Sequence, residues 1–278
     1  MQATSINMID MVGIGPFITL PLVIGAMNGP QSIIAWLLGA FLAFMDGFVW
    51  SELGAAMPLA GGSYQFLNNI YGRKRWGSLF SFLYIWQTII QAPLVIASGA
   101  IGFATYFQYL IPLSSLEQKI ISGSVVVVIY LLLNRNIVSV GRVSIFLWVG
   151  VVVTMAWLII GGLTHFNSSL AFTYPEGAFD LNAVFFLGLG NASIKTVYSY
   201  LGYYNVCHLG AEIKQPERNI PRSIFISIAG IAILYLLMQI SVLGVIPWQE
   251  AKDAPFIVST FFEKIYGKTA ANVATIMI

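Results

Sequence analysis

The sequence predicts an all-α integral membrane protein, on three observations. The 278 residues are 58% hydrophobic and 9% charged, with a mean hydropathy of +0.83, whereas a soluble domain carries about a quarter charged residues. The apolar residues gather into runs of the length that crosses a bilayer as helix, roughly 20 residues. Two of these runs, the first and the sixth, are interrupted at mid-span, by Gly13, Gly15 and Pro16 and by Gly202 amid aromatic and polar residues. One transmembrane domain over 1–278 is expected.

The spanning runs lie at about 7–28, 32–56, 78–107, 119–134, 143–164, 183–210 and 222–247, and an eighth begins near Thr269. The eighth stops at Ile278 while still apolar, so a C-terminally truncated architecture of seven helices and the start of an eighth is expected. The N-terminus has no basic stretch followed by a cleavage site, and the first run is read as retained. The single cysteine, Cys207, leaves no partner for an internal disulfide or a cysteine metal cluster.

Basic residues collect on the cytoplasmic side of membrane proteins. With the N-terminus inside, the inner loops hold Arg73, Lys74, Arg75, Arg135, Arg142, Lys214, Arg218 and Arg222, and the outer loops only Lys119, Lys252, Lys264 and Lys268. The loop 165–182 carries Glu176 and Asp180 without a balancing cation, which suits the outer face. Trp50, Trp76 and Trp248 stand near segment ends, where interfacial anchors are found. An amphipathic stretch, Phe256–Tyr266, is expected to lie on the outer surface.

The first break reads Met11-Val12-Gly13-Ile14-Gly15-Pro16-Phe17. Pro16 lacks an N–H and pushes Gly15 away from helical dihedrals. Unwound backbone inside a membrane is tolerated where it lines a cavity, presenting amides to an anion and carbonyls to a cation. The alternative is a proline kink with glycines for close packing. The second break reads Tyr198-Ser199-Tyr200-Leu201-Gly202-Tyr203-Tyr204-Asn205, with Gly202 at mid-span and an aromatic able to close over a solute. Carbonyls near Ser199 and Leu201 would accept from an ammonium group. Segments one and six correspond if the chain repeats after five helices, with a first repeat over about 7–164 and a partial second over about 183–278.

Polar groups inside spans normally face a cavity or a partner. Asp10 and Glu52 read as solvated helix ends, and Asp46 sits deep enough to pair across helices. Lys195 shares a helix face with Tyr198, three residues on. It either aims an ammonium at an outer vestibule or snorkels to the interface. Gln87 and Gln91 are one turn apart and line a pocket or bridge helices. Cys207 and His208 read as packing and end residues.

Three motifs then resemble one family, the amino acid–polyamine–organocation permeases. Gly13-Ile14-Gly15-Pro16-Phe17 is similar to the family's Gly-Ser-Gly-Ile-Phe in the first helix. Glu52-Leu53-Gly54-Ala55-Ala56-Met57-Pro58-Leu59-Ala60-Gly61-Gly62-Ser63-Tyr64 resembles the loop after the second helix. Glu212-Ile213-Lys214-Gln215-Pro216-Glu217-Arg218-Asn219-Ile220-Pro221-Arg222 resembles the loop after the sixth. The resemblance implies the leucine-transporter fold, ten core helices in two inverted repeats with discontinuous first and sixth helices. It implies secondary transport of amino acids or related amines by alternating access, with exchange as one form.

The site residues implied are Met11, Gly13, Ile14, Gly15, Tyr198, Ser199, Leu201, Gly202 and Gln91. Amides of Ile14 and Gly15 would take a carboxylate, and carbonyls of Met11, Tyr198 and Leu201 an ammonium. Tyr198 stands where arginine–agmatine exchangers have an aromatic gate. Ile14 replaces a frequent serine, so a hydroxyl is lost while the amide remains. The fifth span, 143–164, has no ionisable residue, so a lysine proton switch there is not expected.

Other classes fit less well. A seven-helix receptor predicts an outside N-terminus. An intramembrane enzyme wants a catalytic constellation, and His165 and His208 have none. No repeated filter or charged ring suggests a channel. The expected partners are the bilayer, a small amino acid or amine, and a coupling ion or counter-solute. No nucleic acid, cofactor or metal is expected.

Overall fold

A computed structural model describes residues 2–134 and 137–278. Arg135 of the charge pattern lies outside them, as do the side chains of Arg75 and Arg142. The chain is helical from end to end, with no strand among the described residues beyond one isolated bridge, Ala60 to Leu209. The helices are α1 Gln2–Met11, α2 Gly15–Met27, α3 Ile33–Ala56, α4 Ser63–Tyr71, α5 Gly77–Leu110, α6 Ser115–Leu133 and α7 Ile137–Thr164. A short α8, Ser168–Ala171, precedes α9 Ala183–Tyr200 and α10 Pro216–Leu243. The chain ends in α11 Trp248–Ala251, α12 Ile257–Tyr266 and α13 Lys268–Met277.

Five of the described helices are long and apolar enough to cross a membrane, and the interrupted pair α1–α2 makes a sixth if counted as one span. Their apolar side chains remain outward: α6 buries none of its residues, and Leu94, Tyr130, Phe146 and Val184 are all exposed. Such surface is stable against lipid rather than water.

Several helix boundaries differ from those the hydropathy predicts, each for a local reason. α6 starts before the apolar run, because Ser114 and Glu117 form a capping box: the Ser114 hydroxyl accepts from the Glu117 amide at 3.4 Å, and Glu117 Oε2 accepts from the Ser114 amide at 2.8 Å. α10 starts at Pro216, inside the expected loop, since proline is preorganised for a first helical position. α9 is capped by Asn182, whose side chain accepts from the Phe185 amide at 2.9 Å. The loop after the second span holds a helix the apolar count missed, α4.

The expectation for Phe256–Tyr266 is corrected. α12 turns Ile257, Val258, Phe261 and Phe262 into the protein, fully buried, and packs on α13, α2 and α7. Ser259 and Thr275 hydrogen-bond across the α12–α13 pair at 2.7 Å. The amphipathic face is therefore covered by protein, not spread on a surface.

The chain gathers into two compact units. One comprises the residues up to Met11, Ala40–Ile96 and Tyr200–Ile231. The other comprises Val12–Gly39, Ala97–Ser199 and Ala232–Ile278. The backbone passes from one to the other five times, at Met11–Val12, Gly39–Ala40, Ile96–Ala97, Ser199–Tyr200 and Ile231–Ala232, and the first and fourth of these fall at the two sequence breaks. The first unit is cored by Phe66, Val206, Cys207, Ile220, Ile224 and Ile228, the second by Phe17, Leu20, Trp36, Leu158, Phe261 and Phe262.

Candidate functional site

Both predicted breaks exist. α1 ends at Met11 and α2 begins at Gly15, and α9 ends at Tyr200, followed by turns through Tyr204 and a tight 3₁₀ helix Asn205–His208. Within the second unit, Ile14 stands at the N-cap of α2, and its carbonyl accepts from the amides of Phe17 at 3.2 Å and Ile18 at 3.3 Å. Helix starts leave their first amides without intrahelical partners. Pro16 has none to give, so the amides at the start of α2 are those of Ile14 and Gly15.

A Cβ built on Gly13 or on Gly15 would meet no heavy atom within 4 Å. Close helix packing therefore does not explain these two glycines. What they keep clear is the space beside the amides of a helix start, where the helix dipole favours an anion.

The end of α9 belongs to the same unit up to Ser199. The Ser199 hydroxyl is 3.0 Å from Thr19 Oγ1, and its carbonyl accepts from the Tyr235 hydroxyl at 3.1 Å. Ser199 is thus held through both its side chain and its backbone, a brace rather than an open ligand. Thr196 donates to the Ala35 carbonyl at 2.8 Å and fixes the preceding turn. Tyr198 is 41% exposed, so its ring is available to a solute. The Lys195 ammonium donates to the Asn191 carbonyl at 3.1 Å and to the Asn191 side chain, one turn back along α9.

The first unit holds Met11, Leu201, Gly202 and Gln91. Gly202 has φ +120°, a conformation side chains rarely adopt, and a Cβ there would sit 2.6 Å from Asp10 Oδ2 and 3.2 Å from Met11 Cγ. Glycine is required for both dihedral and space. Asn205 donates to Asp10, so Asp10 is a partnered group and not simply a solvated end. Asp46 accepts from the Tyr203 hydroxyl at 2.6 Å and from Trp50 Nε1 at 2.8 Å. Trp50, expected as an interfacial anchor, instead stacks on Tyr204 with ring centroids 4.9 Å apart.

Asp10, Asp46, Trp50, Gln91, Tyr204 and Asn205, but not Met11, Leu201 or Gly202, face a recess of about 1390 Å³ within this unit. Tyr84 also lines it, and Gln87 donates to Gln91 on its wall. Its ionisable lining among the described residues is Asp10, Asp46, Tyr64, Tyr71, Tyr84, Tyr204 and His208, with no lysine or arginine among them. Two carboxylates among aromatic rings and amides favour a cationic or zwitterionic visitor over an anionic one.

The two loop motifs converge, which spacing alone did not reveal. The Gly61 amide donates to the His208 carbonyl at 3.1 Å, beside the Ala60–Leu209 bridge. A Cβ on Gly54 would lie 2.8 Å from Ile220 Cγ2, in the second loop motif, and 2.8 Å from Cys207 Sγ, so this glycine allows the close approach. Asn7, Thr19 and Tyr235 are further residues the sequence reading missed. The one available signal was Asn7 and Asp10 standing three apart on a single helix face in an otherwise apolar run.

Comparison with known proteins identifies the family. The family model described as amino acid permease matches residues 1–278. The chain is similar to the serine/threonine exchanger SteT of Bacillus subtilis, 26% identical over 80% of this chain and 49% of that protein. It is similar to the aspartate-proton symporter of the same organism, 25% identical over 82% of this chain and 44% of that protein. The human large neutral amino acids transporter small subunit 2 is 26% identical over 94% of this chain and 49% of that protein. The chain spans about half the length of the curated relatives it matches. With two helices broken at the predicted positions, the motif-bearing loops in contact and a family match over every residue, the chain belongs to the amino acid permease family.

Proposed function

We propose that the full-length protein carries amino acids or related amines across a membrane by alternating access, as an exchanger or with a coupling ion. The observation that carries this is the pair of unwound segments at 12–14 and 201–204 in a chain of the amino acid permease family. The amides of Ile14 and Gly15 take the solute's carboxylate beside α2. Carbonyls at Met11, Tyr198 and Leu201 take its ammonium, with Tyr198 able to cover it. The acidic, aromatic recess at Asp10 and Asp46 suits an ammonium-bearing solute. Gly13 and Gly202 supply the backbone freedom, and Gln91 a wall.

The charge pattern favours a cytoplasmic N-terminus, with Arg73, Lys74, Lys214, Arg218 and Arg222 inside. A plasma or inner membrane is the expected location. Relatives include a serine/threonine exchanger and an aspartate-proton symporter, and both coupling modes are therefore open to test.

The test is uptake of labelled amino acids by proteoliposomes of the full-length protein, with and without unlabelled solute inside. Uptake by at least one member of a panel of neutral, acidic and cationic amino acids and amines is expected. Acceleration by internal solute identifies exchange, and acceleration by a proton gradient identifies symport. No uptake and no thermal stabilisation by any member of the panel would overturn the reading.

A further inference from the structure

Asn7 is fully buried in α1, inside an apolar helix where an amide must find partners or cost stability. Its partners are backbone groups almost two hundred residues away. Asn7 Nδ2 donates to the Tyr203 carbonyl at 2.7 Å, and Asn7 Oδ1 accepts from the Val206 amide at 3.0 Å. Both lie in the stretch that follows the second break, where Gly202 has ended the regular helix. An unwound segment frees one kind of group in each direction, carbonyls and amides. A carboxamide is suited to such a pair, because it offers a donor and an acceptor on one rigid plane.

We propose that Asn7 is a positioning residue that splints the second break. Its side chain replaces the helical hydrogen bonds lost at Tyr203 and Val206 and fastens the end of α1 to the turn 203–206, so that these two pieces hold together. Three neighbouring facts agree. Asn205 bonds Asp10, one helical turn along the same face of α1. A Cβ on Gly202 would lie 2.6 Å from Asp10 Oδ2 and 3.3 Å from the Asp10 carbonyl carbon, so the two segments lie close together. Ser227 donates to the Thr4 carbonyl at 3.3 Å and seats the start of α1 independently of the break.

The chain carries its own reporter. Cys207 follows the clamped Val206 amide, is 1% exposed, and places its thiol 3.5 Å from the Trp50 carbonyl. Loosening the splint should expose it through local opening. The experiment reacts reconstituted full-length protein with N-ethylmaleimide and follows modification at Cys207 by peptide mass spectrometry, alongside the melting temperature. Asn7→Leu keeps the volume and removes both bonds. Labelling of Cys207 should then rise about tenfold, the factor for losing one to two net hydrogen bonds. The melting temperature should move little, whereas a purely structural defect moves both together.

Asn7→Asp keeps the acceptor for the Val206 amide and sets a carboxylate against the Tyr203 carbonyl, so its labelling should fall between wild type and Asn7→Leu. Ser227→Ala, which frees only the start of α1, should label like wild type. Wild-type labelling in Asn7→Leu overturns the proposal. If Asn7→Leu does not fold, Asn7→Asp decides alone, and labelling equal to wild type overturns it. The assay needs no solute and no transport, so its failure is separate from failure of the transport reading.

Discussion

The two breaks look alike in sequence and differ in their surroundings. The first, at Gly13 and Gly15, has no neighbour within 4 Å of where a side chain would begin. The second, at Gly202, is crowded: φ is +120°, Asp10 and Met11 press on the glycine, and Asn7 and Asp10 hold the turn behind it. The open break leaves clear space at both glycines, as the proposed carboxylate site requires. The crowded break spends the Tyr203 carbonyl, the Asn205 side chain and the Val206 amide on the protein itself. Glycine in a membrane helix therefore has two separate meanings, clearance for a ligand or tolerance of a strained fit, and only the neighbours distinguish them.

Substitutions at matched positions sharpen this contrast. Gly202→Val should have the largest effect on stability, because it combines a left-handed dihedral with a clash. A loss of about 2–4 kcal/mol is expected from such strain and overpacking, read as a lower melting temperature in detergent. Gly13→Ala should change the melting temperature by little, and a loss equal to that of Gly202→Val would erase the distinction. Tyr235→Phe removes the hydroxyl that holds the Ser199 carbonyl and should cost about 1 kcal/mol. It should also weaken solute affinity, since the end of α9 is no longer fixed. Ser114→Ala breaks the capping box of α6, remote from either break. It should cost a similar or smaller amount, roughly 0.5–1 kcal/mol for an exposed cap, with uptake unchanged.

Much of the helical framework was legible in the sequence, because apolar runs of spanning length have few alternatives. The positions of both breaks were legible as well, since Gly15-Pro16 and Gly202 disrupt helix by local chemistry that needs no partner. Features set by polar residues at helix ends were harder to read. α4 was hidden in the polar stretch between the second and third spans, and α6 and α10 begin in polar stretches through the Ser114–Glu117 cap and Pro216. The burial of α12 depends on Phe261 and Phe262 finding protein instead of lipid, and an amphipathic pattern is equally suited to either.

Long-range polar pairing was the least legible part. Nothing near Asn7 in the sequence points to Tyr203 and Val206, and nothing near Asp46 points to the Tyr203 hydroxyl. Ser199 shows the same difficulty in reverse. It was read as presenting a carbonyl to a solute, while Thr19 and Tyr235 occupy it from the protein side. Such pairings arise only when the fold brings distant segments together.

The account rests on the claim that the first break is kept open for a solute's carboxylate. The most direct measurement is solute-induced thermal stabilisation of the full-length protein, compared among wild type, Gly15→Ala and Gly15→Leu. All three should fold with similar melting temperatures in the absence of solute, because the position has room for a side chain. Wild type should be stabilised by its solute, Gly15→Ala less so, and Gly15→Leu not at all, its side chain standing where the carboxylate binds. Stabilisation of Gly15→Leu equal to that of wild type would contradict the account.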